Sequence, residues 1–172
     1  MKTKHTKKVF ELFAEKTIQT ARGILNAQGK NTSGNLQDSL GYFLKVQDGI
    51  VELRFLGAEY ANLIDKGVKG SKSSANAPQS PYQYTNKQPP ASAIDKWVVR
   101  KGLKAARNDK GQFIKRKSLV FAIARSIKLY GIKPSNFFSD AINFRIQTLP
   151  KEFLKAYIKD AEEFINITTQ EL

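Results

Sequence analysis

The residues able to do chemistry are few and scattered. The chain has one histidine (His5), no cysteine and 15 acids spread over 172 residues. A catalytic histidine needs an orienting partner. His5 lies near the N-terminus among Lys4, Lys7 and Lys8, so it reads as a solvated terminal side chain. Without cysteine there is no thiolate nucleophile, no disulfide and no Cys-bearing zinc site, which suits a reducing compartment. A metal site of carboxylates alone needs a cluster, and the dispersed acids predict none.

One acid, acid, basic order exists: Asp48, Glu52 and Arg54. A nuclease would need those acids to converge on a metal. Asp48 is expected in a turn, and Arg54 cannot act as a titratable lysine. There is no Gly-rich phosphate loop. Asn31-Thr32-Ser33 and Asn166-Ile167-Thr168 match the glycosylation pattern, which matters only in a secreted protein. These residues point to a non-enzyme with no metal and no cofactor.

Cationic side chains are the more prominent chemistry. The net charge is +14, and residues 66–117 hold 13 basic and 2 acidic groups. Residues 1–65 hold 9 and 7, and residues 118–172 hold 7 and 6. So concentrated a segment attracts polyanions or an acidic protein surface. It could also simply keep the protein soluble. Lys66, Lys69, Lys72, Lys87, Arg100, Lys101, Lys104, Arg107 and Lys110 are the candidate neighbour- or DNA-facing groups.

The elements that position these groups read as α+β: a small antiparallel sheet on a 42–56 hairpin, packed by several helices. One domain over 1–172 is expected, long enough to bury a core. Val9, Phe10, Phe13, Ala14, Thr17, Ile18, Ala21, Ile24 and Leu25 recur at helical spacing, with Thr6 as a candidate cap. A short helical turn at 35–40 follows. The runs 42–47 and 50–56 flank Asp48-Gly49, a pair suited to a two-residue hairpin. Val51, Leu53 and Phe55 share the face expected to meet the core.

Residues 58–66 read as a helix stopped by Gly67. Residues 67–90 hold four of the six prolines and no acid, and are expected to be a long mobile loop that orders only against a partner. Helices are expected at 91–102, with Ser92 as cap and Ile94, Trp97 and Val98 as apolar face, and at 118–130, so apolar that most of its circumference should be covered. Pro150 suits the first turn of a last helix at 150–166, striped by Phe153, Leu154, Tyr157, Ile158, Ala161, Phe164 and Ile165, with a frayed end beyond.

A helix-turn-helix over 124–144 is the sharper DNA-binding rival. Its first helix is too apolar to lie over phosphates. Its second, with Phe137, Phe138, Asp140, Ile142 and Phe144, has few base-reading side chains, so core packing is preferred. No apolar run approaches the roughly 18 residues that span a bilayer. The basic start is followed by Glu11, Glu15 and Lys16, unlike a signal core. A soluble protein made in the cytoplasm, with no membrane contact, is expected.

Several motifs occur in one order: Gly34-Asn35-Leu36-Gln37-Asp38-Ser39-Leu40, the hairpin, Tyr60-Ala61-Asn62-Leu63-Ile64-Asp65-Lys66-Gly67, Ile94-Asp95-Lys96-Trp97, Phe121-Ala122-Ile123-Ala124-Arg125-Ser126-Ile127, Gly131-Ile132 and Phe137-Phe138-Ser139-Asp140-Ala141. This order resembles the neck and tail-completion (head–tail connector) proteins of tailed bacteriophages, over about 34–141. The family often has Glu-x-Gly-Thr after Tyr-Ala; here Asp65-Lys66-Gly67-Val68 keeps the acid and loses the Thr. The resemblance implies a structural virion protein in the neck or tail, assembled in the host bacterial cytoplasm. It implies a homo-oligomeric ring of roughly 6 or 12 subunits. Its partners would be other neck, portal-adaptor and tail proteins, and DNA passing non-specifically through the lumen. Tyr60, Ala61, Asp65, Gly67, Trp97, Gly131, Phe137 and Phe138 would be scaffold. The alternative is a basic nucleic-acid-binding protein without a virion role.

Overall fold

The computed structural model describes residues 3–30, 32–47, 50–103, 111 and 113–170, with no side-chain description for 167–170. The helices are α1 (Lys4–Ala27), α2 (Asn35–Ser39), α3 (Ala61–Lys66), α4 (Ala91–Arg100), α5 (Arg116–Tyr130), α6 (Phe137–Ile146) and α7 (Leu149–Gln170). The strands are β1 (Gly41–Gln47), β2 (Ile50–Leu56), β3 (Val68–Lys69) and β4 (Gly131–Ile132), forming two antiparallel pairs. The α+β class read from the sequence is the observed one, with long first and last helices. The chain packs as two compact units. One comprises Met1–Ala27, Asn35–Ala58 and Phe137–Leu172; the other comprises Gln28–Gly34 and Glu59–Asn136.

The first unit is built on α1, whose buried stripe of Phe13, Ala14, Thr17, Ile18, Ala21 and Leu25 follows the helical period. Against it pack α6, α7 and the β1–β2 hairpin. Aromatic edges stitch these elements together: Phe13 on Phe55 (6.3 Å), Phe55 on Phe138 (5.0 Å) and Phe10 on Phe153 (5.8 Å). Phe137 is fully buried, a side chain worth roughly 1.5–3 kcal/mol on burial. The hairpin pairs from Gly41 opposite Leu56 to Gln47 opposite Ile50. The turn pair Asp48-Gly49 lies outside the described residues. Arg22 of α1 reaches α2 and donates from Nε to the Gln37 carbonyl (3.0 Å) and from its terminal nitrogen to that of Leu40 (3.1 Å). It thereby closes the C-terminal end of that short helix.

Thr6 does not cap α1. It lies inside the helix, and the cap comes from 154 residues away. Asp160 of α7 accepts the His5 N–H at Oδ1 (2.9 Å) and the Thr6 N–H at Oδ2 (2.8 Å). With Thr3 preceding the helix, these are the second and third N–H groups, the ones an N-cap side chain serves. Asp160 is 1 % exposed. Burial alone would raise its pKa. The two N–H donors outweigh burial, and its carboxyl titrates below the ordinary range.

In the second unit β3 pairs with β4, Val68 opposite Ile132 and Lys69 opposite Gly131. The backbones approach so closely that a Cβ on Gly131 would collide with the Val68 carbonyl, and one on Gly70 with that of Leu129. Gly131 also sits at φ +81°, where other residues are strained. Gly67 ends α3 at φ +70° against Ile132. Asp65 is buried, and its carbonyl accepts the N–H groups of Ser135 (3.1 Å) and Asn136 (2.9 Å).

The expected loop at 67–90 is ordered on its own unit rather than awaiting a partner. Ser71, Lys72 and Ser73 donate N–H groups to the Lys128 and Leu129 carbonyls. The Lys69 N–H donates to the Tyr82 carbonyl (2.8 Å), the Tyr84 N–H donates to the Lys69 carbonyl (2.9 Å), and Ser80 Oγ donates to the Gly67 carbonyl (2.7 Å). The bonds from 71–73 satisfy two open C-terminal carbonyls of α5. Strand β4 separates α5 from α6, so the 124–144 stretch is not a helix, tight turn, helix. Ser92 lies inside α4, whose cap position is Pro90 with no side-chain cap. The last helix runs through the expected fray to Gln170.

Candidate functional site

The cationic character is confined to one unit. The second holds 17 basic and 4 acidic residues, the first 12 and 11. Lys66 ends α3, and Lys72, Lys87 and Arg100 are exposed, while Lys69 is partly covered within β3. Lys101 is committed: its Nζ donates to the Gly29 carbonyl at 2.6 Å. Lys104, Arg107 and Lys110 lie outside the described residues. The candidates among the described residues therefore share one unit.

The more informative surface of this unit lies on α4 and α5, which pack against each other. Arg116 at the start of α5 grips Asp95 of α4 with two donors, Nε to Oδ1 at 2.6 Å and the second to Oδ2. That guanidinium holds the Asp95 carboxyl below its ordinary pKa, and the carboxylate raises that of Arg116. Beside this pair is an open cleft of about 740 Å³, floored by Ala91, Val120 and Phe121 and flanked by Lys117. The expectation that α5 would be covered around most of its circumference fails here. Among the described residues, α4 packs along α5 and the 71–73 backbone meets its C-terminal end; Val120 and Ala124 are buried, while Phe121 is 55 % exposed. On α4, Val98 is buried, whereas Trp97, expected in the packed face, is exposed with Val99. Leu103 and Phe113 add to the exposed apolar surface.

The first unit leaves an apolar face open too. In α7 the predicted stripe is rotated. Ala156 and Asp160 are buried and Phe153 is half-buried, while Leu154 (58 %), Tyr157, Ile158 and Ile165 (59 %) face outward. At about 100° per residue the two faces lie roughly a third of a turn apart. The roll follows from Asp160: a helix whose carboxylate must reach the start of α1 cannot also turn its most apolar face inward.

Of the scaffold candidates, Asp65, Gly67 and Phe137 are buried, Gly131 crosses Val68, and Phe138 packs on Phe55. Tyr60 and Trp97 are exposed, and Ala61 is half-buried. His5 is not the free terminal side chain expected. It lies in α1, and its Nε2 is 2.7 Å from Glu163 Oε1, so that nitrogen carries the proton toward the carboxylate. His5, Asp160 and Glu163 bring one ligand-type atom each within 4.8 Å of the others. Asp160 already receives two N–H groups, and Glu163 accepts from His5. The trio is a capped helix start whose donors are in use. Glu52 and Arg54 pair with each other at 2.7 Å on the exposed hairpin face; Asp48, the other acid of that order, lies outside the described residues.

No protein-family model, curated protein or solved structure matches the chain.

Proposed function

We propose that this chain is a structural virion protein, a ring-forming subunit of a phage head–tail connector, neck or tail-completion complex. It would join portal-side and tail-side components around a DNA channel, and it would act by assembly rather than catalysis. The observation that carries this reading is the exposed apolar surface on both units: Phe121 and Trp97 in one, Leu154 and Ile158 in the other. Exposed large apolar side chains gathered on one helix face favour association. A closed ring needs two different surfaces on each subunit. Two copies of the second unit, each with 17 basic and 4 acidic residues, would repel one another. A contact between unlike units, as in a ring, avoids that repulsion. Electron microscopy of the purified chain, alone and with tail extract, tests it: closed rings or incorporation into particles support it, and isolated single subunits oppose it.

A second reading, a nucleic-acid-binding protein without a virion role, is favoured by the charge of the second unit. It predicts a monomer that retards DNA with steep salt dependence.

A further inference from the structure

We propose that the groove between α1 and α7 in the first unit receives an acidic amphipathic helix of a partner protein. The two helices run antiparallel, since His5 meets Glu163 and Phe10 meets Phe153. Their outer surfaces leave a groove of about 320 Å³ with an apolar floor of Val9, Leu12 and Ala156. Its walls are Lys8 and Lys16 from α1 and Lys155 and Lys159 from α7, against one acid, Glu152. From His5 to Lys16 the α1 wall is about 16 Å long, three turns of helix.

The segregation of charge is what makes this a site. The first unit as a whole holds 12 basic and 11 acidic residues, so four lysines against one acid is a local excess that its composition does not predict. The acids of α1 lie elsewhere: Glu11 pairs with Lys7, and Glu15 accepts from Tyr42 Oη. None of the four wall lysines forms an ion pair among the described residues. Lysine stems cover apolar surface while their ammonium groups stay at the rim. An apolar floor between cationic rims matches a helix with an apolar stripe flanked by Asp and Glu. A phosphate backbone would satisfy the rims but leave the floor wet. This groove is built from residues of the first unit alone, and the inference does not rest on ring formation.

The test uses the full-length chain and a fluorescein-labelled peptide of about 15 residues, a Leu stripe flanked by Glu, read by anisotropy. Saturable binding is expected. The double variant Lys155→Glu/Lys159→Glu should weaken it at least about tenfold, and Leu12→Asp severalfold. The control Lys69→Glu/Lys72→Glu, in the other unit, should leave it unchanged. Thermal melts verify that each variant is folded. The inference is overturned by no binding, by equal binding to the groove variants, or by equal binding of a peptide with the same composition and a scrambled stripe. It is also overturned if a short DNA duplex displaces the peptide and itself depends on Lys155 and Lys159, which makes the groove a nucleic-acid site. A change in the chain's own oligomeric state in the groove variants likewise overturns it, since the occupant is then a second copy.

Discussion

The two units solve opposite problems. The first balances 12 basic against 11 acidic residues and is held by side chains: aromatic edges around Phe55, and the Asp160 carboxylate on the start of α1. The second carries 17 basic and 4 acidic residues and is held largely by backbone, through the close crossing of 67–73 over 128–132. Side-chain packing tolerates volume-conserving exchange. A backbone crossing with no room for a Cβ tolerates almost none. The contrast teaches where each unit is fragile. It also separates residues that hold the fold from those left over for association.

Substitution at the crossing should have the largest effect on stability. Gly131→Val places a branched side chain at φ +81° and into the Val68 carbonyl, and should cost roughly 3 kcal/mol or more. Urea unfolding measures it; a loss below about 1 kcal/mol would mean the crossing is looser than described.

Asp160→Ala comes next, at about 2 kcal/mol, since it leaves one buried and one part-buried N–H group without an acceptor. Asp160→Asn keeps one acceptor and should lose about 1 kcal/mol at neutral pH. The acid limb then supplies the sign. The folded-state pKa of Asp160 is depressed, so its charge stabilises the protein above the unfolded value of about 3.9. That contribution is lost as pH falls through the lower folded value. The gap between wild type and Asp160→Asn should therefore be full near pH 6 and shrink below about pH 4. A constant gap down to pH 2 would remove the capping account. The smallest stability effects belong to Lys72→Ala and Lys87→Ala, within about ±0.5 kcal/mol, because both are exposed. If DNA is retarded at all, these two should flatten its salt dependence.

Much of the first unit was legible. The period of α1 and the alternation of β1 and β2 are local patterns, and each forms the element it suggests. The roll of α7 was not legible, because it depends on Asp160 finding a helix start 154 residues away. A buried acid in an amphipathic stripe looks like an ordinary polar position until that partner is known. The order in 67–90 was hidden for a related reason: it rests on backbone donors, which every residue has. The glycines at 67, 70 and 131 were the available signal, and only Gly70 was passed over. Of the candidate surface, the sequence showed the charge of the second unit but misread α5. Its apolar residues suggested a covered helix, whereas α4 and the 71–73 segment leave Phe121 outside. Apolar composition does not distinguish a core from an interface.

The exposed faces of α5 and α7 are the proposed association surfaces. Sedimentation velocity of wild type, Phe121→Asp, Ile158→Asp and an equimolar mixture of the two variants tests this claim most directly. The wild type should sediment as a closed oligomer and each variant as a folded monomer. If unlike faces meet, the mixture should join through its one intact contact and stop at a dimer. A wild type that stays monomeric at every concentration, or variants that assemble as it does, would contradict the claim.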